Sequence, residues 1–302
     1  MNKLKAWVSA ARLRTLPLSI SGILVGAALA NYRGFADNVI LTLSLLTTIA
    51  FQITSNFAND YGDGVKGTDA EDRVGPKRAL QSGILSRKEL KSGIVVSIII
   101  SLLLTLLLIY QAFGVKNLLY PILFLVLGGL SVWAAIRYTM GDSPYGYRGL
   151  GDVFVFMFFG LLGVLGSLFL YTKNINYIEI LPAIAIGFLC VGVLNLNNLR
   201  DIESDRNHNK NTLVVKMGFV NGKKYHFALL VLSFIAMLFF HFIVFKSYAR
   251  LFYFIAYLPI GFHLRKVYQT KLPVKLDTEL KKLALSTFLL SLLFYIAVNY
   301  FS

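Results

Sequence analysis

The chain has 302 residues, 56% of them hydrophobic, and a formal net charge of +15; its mean hydropathy is +0.65. Such long apolar stretches exclude an ordinary soluble domain and place the chain among membrane proteins. The basic excess does not point to nucleic acid, because the charges sit in short segments between apolar runs, where they set topology and attract anionic lipid or substrate.

The first segment, LKAWVSAARLR, spaces Leu4, Trp7, Val8 and Ala11 as on one helix face, and predicts a short amphipathic helix along the membrane interface. Lys3, Lys5, Arg12 and Arg14 then precede an apolar run ending in Ala28-Leu29-Ala30. That combination mimics a cleaved signal sequence. A retained first span fits the remaining topology better. A helix needs roughly 20 apolar residues to cross the hydrocarbon. Charge-free intervals run over 15–32, 38–59, 92–115, 117–136, 153–172, 180–199, 225–245 and 283–302. One more, 251–264, is only 14 residues long. It reaches span length if Arg250, Arg265 and Lys266 snorkel to the interfaces. The expectation is an all-α membrane protein, a single domain over 1–302 built as a bundle of nine transmembrane helices. Cys190, the single cysteine, lies inside an apolar run, so neither an intramolecular disulfide nor a zinc or haem motif is suggested.

With the N-terminus in the cytoplasm and the C-terminus outside, 25 of the 30 basic residues fall on the cytoplasmic side, a strong positive-inside signal. The outer segments keep Arg33, Lys116, Lys173, Lys246 and Arg250. Of the acidic residues, only Asp37 and Glu179 fall outside. The rest concentrate in the loops that follow the second and sixth helices.

Two carboxylate clusters close those helices. The first is Asn56-Phe-Ala-Asn-Asp60-Tyr-Gly-Asp63; the second is Asn197-Asn-Leu-Arg-Asp201-Ile-Glu-Ser-Asp205. On a continuing helix, Asn56, Asp60 and Asp63 lie within about 60° of one another, and Asn197, Asp201 and Asp205 within about 80°. Each cluster then forms one acidic stripe at a helix C-terminus, where the macrodipole repels anions. A compensating cation is required, and oxygen-only ligands suit Mg²⁺, which completes its octahedron with water and phosphate oxygens. Lys66, Arg73, Lys77 and Arg78 after the first cluster, and Arg206 and Lys210 after the second, are what a diphosphate also needs. The plainer reading makes Gly62 and Gly64 an ordinary helix stop in a solvated loop. Two clusters with the same Asn-x-x-x-Asp opening on one membrane face favour a site, and hint at an internal pseudo-repeat of helix sets.

Other positions carry two readings. Tyr138, Tyr145 and Tyr147, with Arg137, Arg148 and Asp152, are interface anchors or groups that orient an aromatic substrate. His208 reads as solvated. His226, His241 and His263 lie near span ends with no catalytic role. Gly128-Gly129 and the set Gly160, Gly163 and Gly166 read as close helix packing.

The blocks ARLRTLP, NFANDYGDGVKGTD, RVGPKRALQSG, PYGYRGLGD and NNLRDIESDRNHNKNTLVVKMG resemble the UbiA superfamily of intramembrane prenyltransferases. Within it they resemble the 1,4-dihydroxy-2-naphthoate polyprenyltransferases of menaquinone biosynthesis. The resemblance runs in ordered blocks through residue 218; the last three helices match only as hydrophobic spans. One departure is Asn209, where the family commonly places Gly before Lys210.

The resemblance implies Mg²⁺-dependent transfer of a polyprenyl group from polyprenyl diphosphate to 1,4-dihydroxy-2-naphthoate, with loss of the carboxylate, giving a demethylmenaquinone. Two Mg²⁺ ions are implied, one on Asp60 and Asp63 with Asn56, the other on Asp201 and Asp205 with Asn197 nearby. Lys66, Arg73, Arg78 and Lys210 would clamp the diphosphate, with Tyr138 and Tyr147 beside the reacting carbon. The loops after the second and sixth helices would cap the site. It would face the cytoplasm from a bacterial inner membrane, with the tail in lipid. Other enzymes of the superfamily, acting on 4-hydroxybenzoate, haem or lipid precursors, are the nearest alternatives. A CDP-alcohol phosphotransferase lacks its D-G-x-x-A-R run here. A cation-coupled transporter would place its carboxylates near the midplane, not at helix ends.

Overall fold

In the computed structural model, residues 2–66, 78–115 and 118–300 are described, and all of their regular structure is helical. Helix α1, Lys3–Ala11, is capped by Asn2, whose side chain accepts from the Lys5 amide at 2.9 Å. It ends at Arg12 in the left-handed region (φ 49°). The helix packs through Ala6, Ala10 and Ala11, with Trp7 edge-on to Phe57 at 5.2 Å. Leu4 and Val8, on the face expected to lie along the membrane interface, are 71% and 48% exposed to the surroundings of the protein. The alanines form the protein-facing side, where small residues let the backbone approach its neighbour closely.

A 3-10 turn leads into α2, Leu16–Tyr32, with Pro17 in its first turn, where the missing amide costs no hydrogen bond. Helix α2 is buried almost throughout and packs mainly against three other helices. These are α3 (Asn38–Lys66), α6 (Gly151–Thr172) and α11 (Asp277–Tyr300). Helices α4 (Arg87–Phe113) and α5 (Leu119–Arg137) pack on α3, and α7 (Tyr177–Arg200) packs between α6, α9 (Leu213–Phe245) and α11. The short α8, Ile202–Asn207, joins α7 to α9.

Seven helices among the described residues are long and apolar enough to cross a membrane, and eight if α1 and α2, bent by 44°, form one span. By length and composition alone, the described helices reach seven or eight spans, against the nine expected from the sequence. The short interval 251–264 is built as a 3-10 helix, Ala249–Ala256, followed by α10, Tyr257–Gln269. Pro259 explains the break, since it cannot donate to the carbonyl four residues back.

Two further breaks escaped the sequence. The middle of α6, Phe156–Gly166, is π-helical, and Gly218 (φ 81°, ψ 163°) kinks α9 near its start. Within the π turn, a Cβ on Gly160 would lie 2.5 Å from Gly187 Cα, so two glycines set the α6–α7 approach. A Cβ on Gly163 would reach Gly22 at 3.7 Å, whereas Gly166 meets only Leu162 of its own helix and Gly129 faces open space. The expected packing role therefore holds for Gly160 and Gly163 and fails for Gly129.

Helices α3, α5 and α7 end at the same side of the bundle from which α4, α6 and α9 start. Both carboxylate clusters lie at this end.

Candidate active site

The first cluster stays helical. Helix α3 continues to Lys66, so Gly62 and Gly64 are interior residues rather than a helix stop. Gly62 is needed for space: a Cβ there would collide with the Thr139 side chain. The Thr139 hydroxyl donates to the Ala58 carbonyl at 3.2 Å, which pins the end of α3 to the end of α5. Asn56, Asp60 and Asp63 are buried, with Asp60 1% and Asp63 4% exposed.

Buried carboxylates need paired charge. Arg78 supplies it with Nη1 at 2.7 Å from Asp63 Oδ2 and 3.4 Å from Asp60 Oδ1, and donates to the Asn59 carbonyl at 3.1 Å. The second guanidinium on Asp60 comes from Arg12, which the sequence reading assigned to topology alone. The left-handed turn at the end of α1 carries it there. Asn56 looks the other way. Its Nδ2 donates to the Ala11 carbonyl at 2.9 Å and to Thr15 Oγ1 at 3.3 Å, and its Oδ1 accepts from Gln52 at 3.1 Å. These contacts fasten the N-terminal segment and so hold Arg12 in place.

The turn before α6 joins the two clusters. The Tyr147 hydroxyl donates to Asp63 Oδ1 at 2.9 Å, and its carbonyl accepts from the Asn211 amide at 3.0 Å. Two ammonium groups lie over the Tyr147 ring, Lys66 Nζ at 4.8 Å from the centroid and Lys210 Nζ at 5.6 Å. Lys210 Nζ is 3.3 Å from Asp205 Oδ1, and the Lys210 amide donates to the Asp205 carbonyl at 2.8 Å. Burial works against the Lys210 charge, yet Asp205 and Asp63 raise its pKa on balance. Asp205 Oδ2 is buried and accepts no hydrogen bond. An unbroken chain of contacts thus runs from Arg12 through Asp60, Arg78, Asp63, Tyr147 and Lys210 to Asp205.

The second cluster is not one helical stripe. Helix α7 ends at Arg200, and Asp201 adopts φ −95°, ψ 12° before α8 begins. The backbone bonds from Asp201 to Asn197 (3.0 Å) and from Asp205 to Asp201 (2.8 Å) survive the break. The side chains diverge: Asp205 goes to Lys210, while Asp201 is gripped by Arg200 through Nε at 2.7 Å and Nη2 at 2.6 Å. Arg200 also holds Asn197 Oδ1 at 2.9 Å and Asp277 Oδ1, at the start of α11, at 2.6 Å.

The remaining residues sort as follows. Tyr138 lies beside the turn, edge-on to Tyr145 at 5.4 Å. Tyr145 is a packing anchor, stacked on Phe154 at 3.9 Å and donating to the Ala134 carbonyl at 2.8 Å. His208 Nδ1 is 2.8 Å from the Ser204 carbonyl. Asn209 takes φ 55°, a left-handed conformation that asparagine tolerates, so the departure from glycine leaves the turn intact. Arg73 and Lys77 lie outside the described residues. His226 and His263 are not idle span-end residues. Their Nε2 atoms are 2.9 Å apart, and His263 Nδ1 is 2.8 Å from Glu279 Oε2, tying α9, α10 and α11 together.

No three His, Cys, Asp or Glu residues converge into a metal cage among the described residues. The donor set still fits Mg²⁺, a cation held by one or two carboxylates plus substrate phosphates and water. The candidate donors are all oxygens, and Asp205 keeps an acceptor without a partner.

Comparison with known proteins decides the family. The description "UbiA prenyltransferase family" matches residues 19–298. The chain belongs to this family. It is 44% identical over 295 residues to a Haemophilus influenzae protein named 1,4-dihydroxy-2-naphthoate octaprenyltransferase, covering 97% of this chain and 95% of that one. An Escherichia coli protein of the same name is 46% identical over 241 residues, covering 80% and 78% of the two chains. A solved structure described as digeranylgeranylglyceryl phosphate synthase superposes with a TM-score of 0.61 over 99% of both chains at 19% identity. That likeness speaks to the fold alone. It extends through the C-terminal helices, for which the sequence blocks gave nothing.

Proposed function

We propose that this protein transfers a polyprenyl group from polyprenyl diphosphate to 1,4-dihydroxy-2-naphthoate in menaquinone biosynthesis. The acceptor follows the relatives named above. The chemistry is supported by one observation: Tyr147, flanked by Lys66 and Lys210, donates to Asp63 of the first carboxylate cluster, and Lys210 pairs with Asp205 of the second.

Asp60 and Asp63 would hold one Mg²⁺ and Asp201 and Asp205 a second. Bound there, the ions would offset the negative charge that grows on the diphosphate as the allylic C–O bond breaks. Arg78, Lys66 and Lys210 would contact the same phosphates, and Arg73 is a further candidate by sequence alone. Arg12 keeps Asp60 oriented. Tyr138 and Tyr147 shield the allylic carbon from water. The bond to the naphthalene ring forms at the carbon bearing the carboxylate, and carbon dioxide leaves with restoration of the aromatic ring. Diphosphate departs, and the product is the quinol form of demethylmenaquinone. The tail lies in the bilayer between helices.

The positive-inside distribution supports a topology with the site at the cytoplasmic face of a bacterial inner membrane. It also supports a nine-span count, in which α1 lies at the interface, α2 is the first span and residues 249–269 form the eighth.

The test is diphosphate release by purified protein with dihydroxynaphthoate or 4-hydroxybenzoate as acceptor. Release should require Mg²⁺ and the naphthoate, and Asp60→Ala and Asp201→Ala should each abolish it without loss of fold. Equal turnover on 4-hydroxybenzoate would reassign the acceptor; full activity of both variants would overturn the chemistry.

A further inference from the structure

Arg200 is 4% exposed and uses three nitrogens on three residues. Its Nε and Nη2 grip both oxygens of Asp201, Nη2 also holds Asn197, and Nη1 reaches Asp277. Two of these partners belong to the second carboxylate cluster. The third stands at the first residue of α11, 72 positions beyond Asp205. We propose that Asp277, acting through Arg200, is a positioning residue that sets Asn197 and Asp201 for divalent-cation binding. The proposal rests on Asp201 being a metal ligand.

The geometry leaves room for both partners on one carboxylate. An ionised carboxylate has about four lone-pair sites. The guanidinium fork takes two, one on each oxygen, and the remaining two stay available to a cation. The fork fixes the orientation of the carboxylate plane, as the bidentate geometry dictates. What fixes the fork is Asp277. Without it, Arg200 keeps its contacts on its own helix end, where Asp201 is the next residue and the chain has just left the helix. Nothing from another element then sets its angle. Groups that orient metal ligands in this way typically matter 10–100-fold in metal affinity or activity. Asp277 also sits at a helix N-terminus, where its charge is favoured by the dipole, so its position is stable before any ligand arrives. The arrangement gives α11 a role at the site that no sequence motif in residues 219–302 announces.

A plain helix clamp between α7 and α11 would use the same salt bridge, so the experiment reads metal binding and stability separately. Mn²⁺ is titrated by electron paramagnetic resonance into purified, full-length wild type, Asp277→Asn, Asp277→Glu, Arg200→Lys and Asp201→Asn. Melting temperatures are recorded in metal-free buffer. The Asp277 side chain is 46% exposed, so its amide variant should fold. The expected result is about a tenfold weaker Mn²⁺ affinity for Asp277→Asn, recovery in Asp277→Glu, and a similar loss in Arg200→Lys, whose single ammonium cannot span three acceptors. In turnover, the Mg²⁺ concentration for half-maximal rate should rise about tenfold while kcat at saturating Mg²⁺ stays within about twofold. Wild-type Mn²⁺ affinity in Asp277→Asn with loss of affinity in Asp201→Asn overturns the proposal alone. Wild-type affinity in both variants overturns the metal role of Asp201 with it. A loss of affinity that merely tracks a lowered melting temperature reduces the pair to a clamp and also overturns the proposal.

Discussion

Replacing Tyr147 by phenylalanine removes one atom from the middle of the contact chain between the two clusters. The hydroxyl donates to a buried carboxylate at 2.9 Å. A hydrogen bond to a charged group contributes about 1.5–3 kcal/mol. Asp63 keeps Arg78 at 2.7 Å, so the carboxylate is not orphaned and the lower figure applies. At about 1.4 kcal/mol per decade, Tyr147→Phe should lower kcat/KM about tenfold. Alanine goes further, because the ring under Lys66 and Lys210 is lost as well. Each ammonium–ring contact contributes about 0.5–1 kcal/mol, so Tyr147→Ala should cost roughly another tenfold. The assay is transfer of labelled prenyl groups by protein in nanodiscs, with melting temperatures to show that both variants fold. Wild-type rates in Tyr147→Phe would refute the link between Asp63 and Tyr147. Equal rates in the two variants would refute the role of the ring.

Arg12→Ala leaves buried Asp60 with Arg78 at 3.4 Å; activity should fall at least tenfold and the melting temperature should drop, with partial rescue in Arg12→Lys, and an unchanged rate would exclude Arg12 from the site. Gly160→Ala places a methyl 2.5 Å from Gly187 Cα, a backbone contact that no rotamer relieves, so about 1–3 kcal/mol of stability should be lost, read as a lower unfolding midpoint in detergent; an unchanged midpoint would refute the tight α6–α7 approach. Asn209→Gly should be neutral, since φ 55° suits glycine, while Asn209→Val should destabilise the loop by about 1–2 kcal/mol and slow turnover; equal activity in the two would mean the turn does not position Lys210.

The sequence made the helical bundle and both carboxylate clusters legible, because apolar runs and charge placement are local properties. It gave the ends of the helices less well. The charge-free interval stopped at residue 59, yet α3 runs on to Lys66, since partners from other elements neutralise Asp60 and Asp63 and let the helix carry them. Arg12, Arg200 and Asp277 were invisible as site residues. Each looked like a topology charge or a loop acid, and what distinguishes it is a contact across 48 positions (Arg12 to Asp60) or 77 positions (Arg200 to Asp277) with an element whose placement no local pattern encodes. The block ARLRTLP held a signal for Arg12, as part of a resemblance but without a mechanism. The π turn of α6 and the 3-10 segment before α10 were unreadable for a different reason: hydropathy reports that a segment is apolar, not which hydrogen-bond period it keeps.

The resident cations explain how such a site can exist without its ligands. Four buried aspartates at one end of a bundle would be costly to ionise in a low-dielectric setting. Arg12 and Arg78 pair with the first two, and Arg200 and Lys210 with the second two. Charge is therefore nearly balanced before substrate arrives. A diphosphate brings negative charge and its Mg²⁺ ions bring positive charge, so the balance is kept only if both come together. Arg78, with its rigid fork of donors, suits phosphate oxygens as well as carboxylates; Lys210 can follow the same exchange. Arg200 differs. It is locked by Asp277 as well as by Asp201 and Asn197, through all three of its side-chain nitrogens. The cations at this site thus divide by their anchors: Arg78 and Lys210 pair with cluster carboxylates that a diphosphate and its metal ions would engage, whereas Arg200 is tied to Asp277 of α11 and holds the ligand frame still.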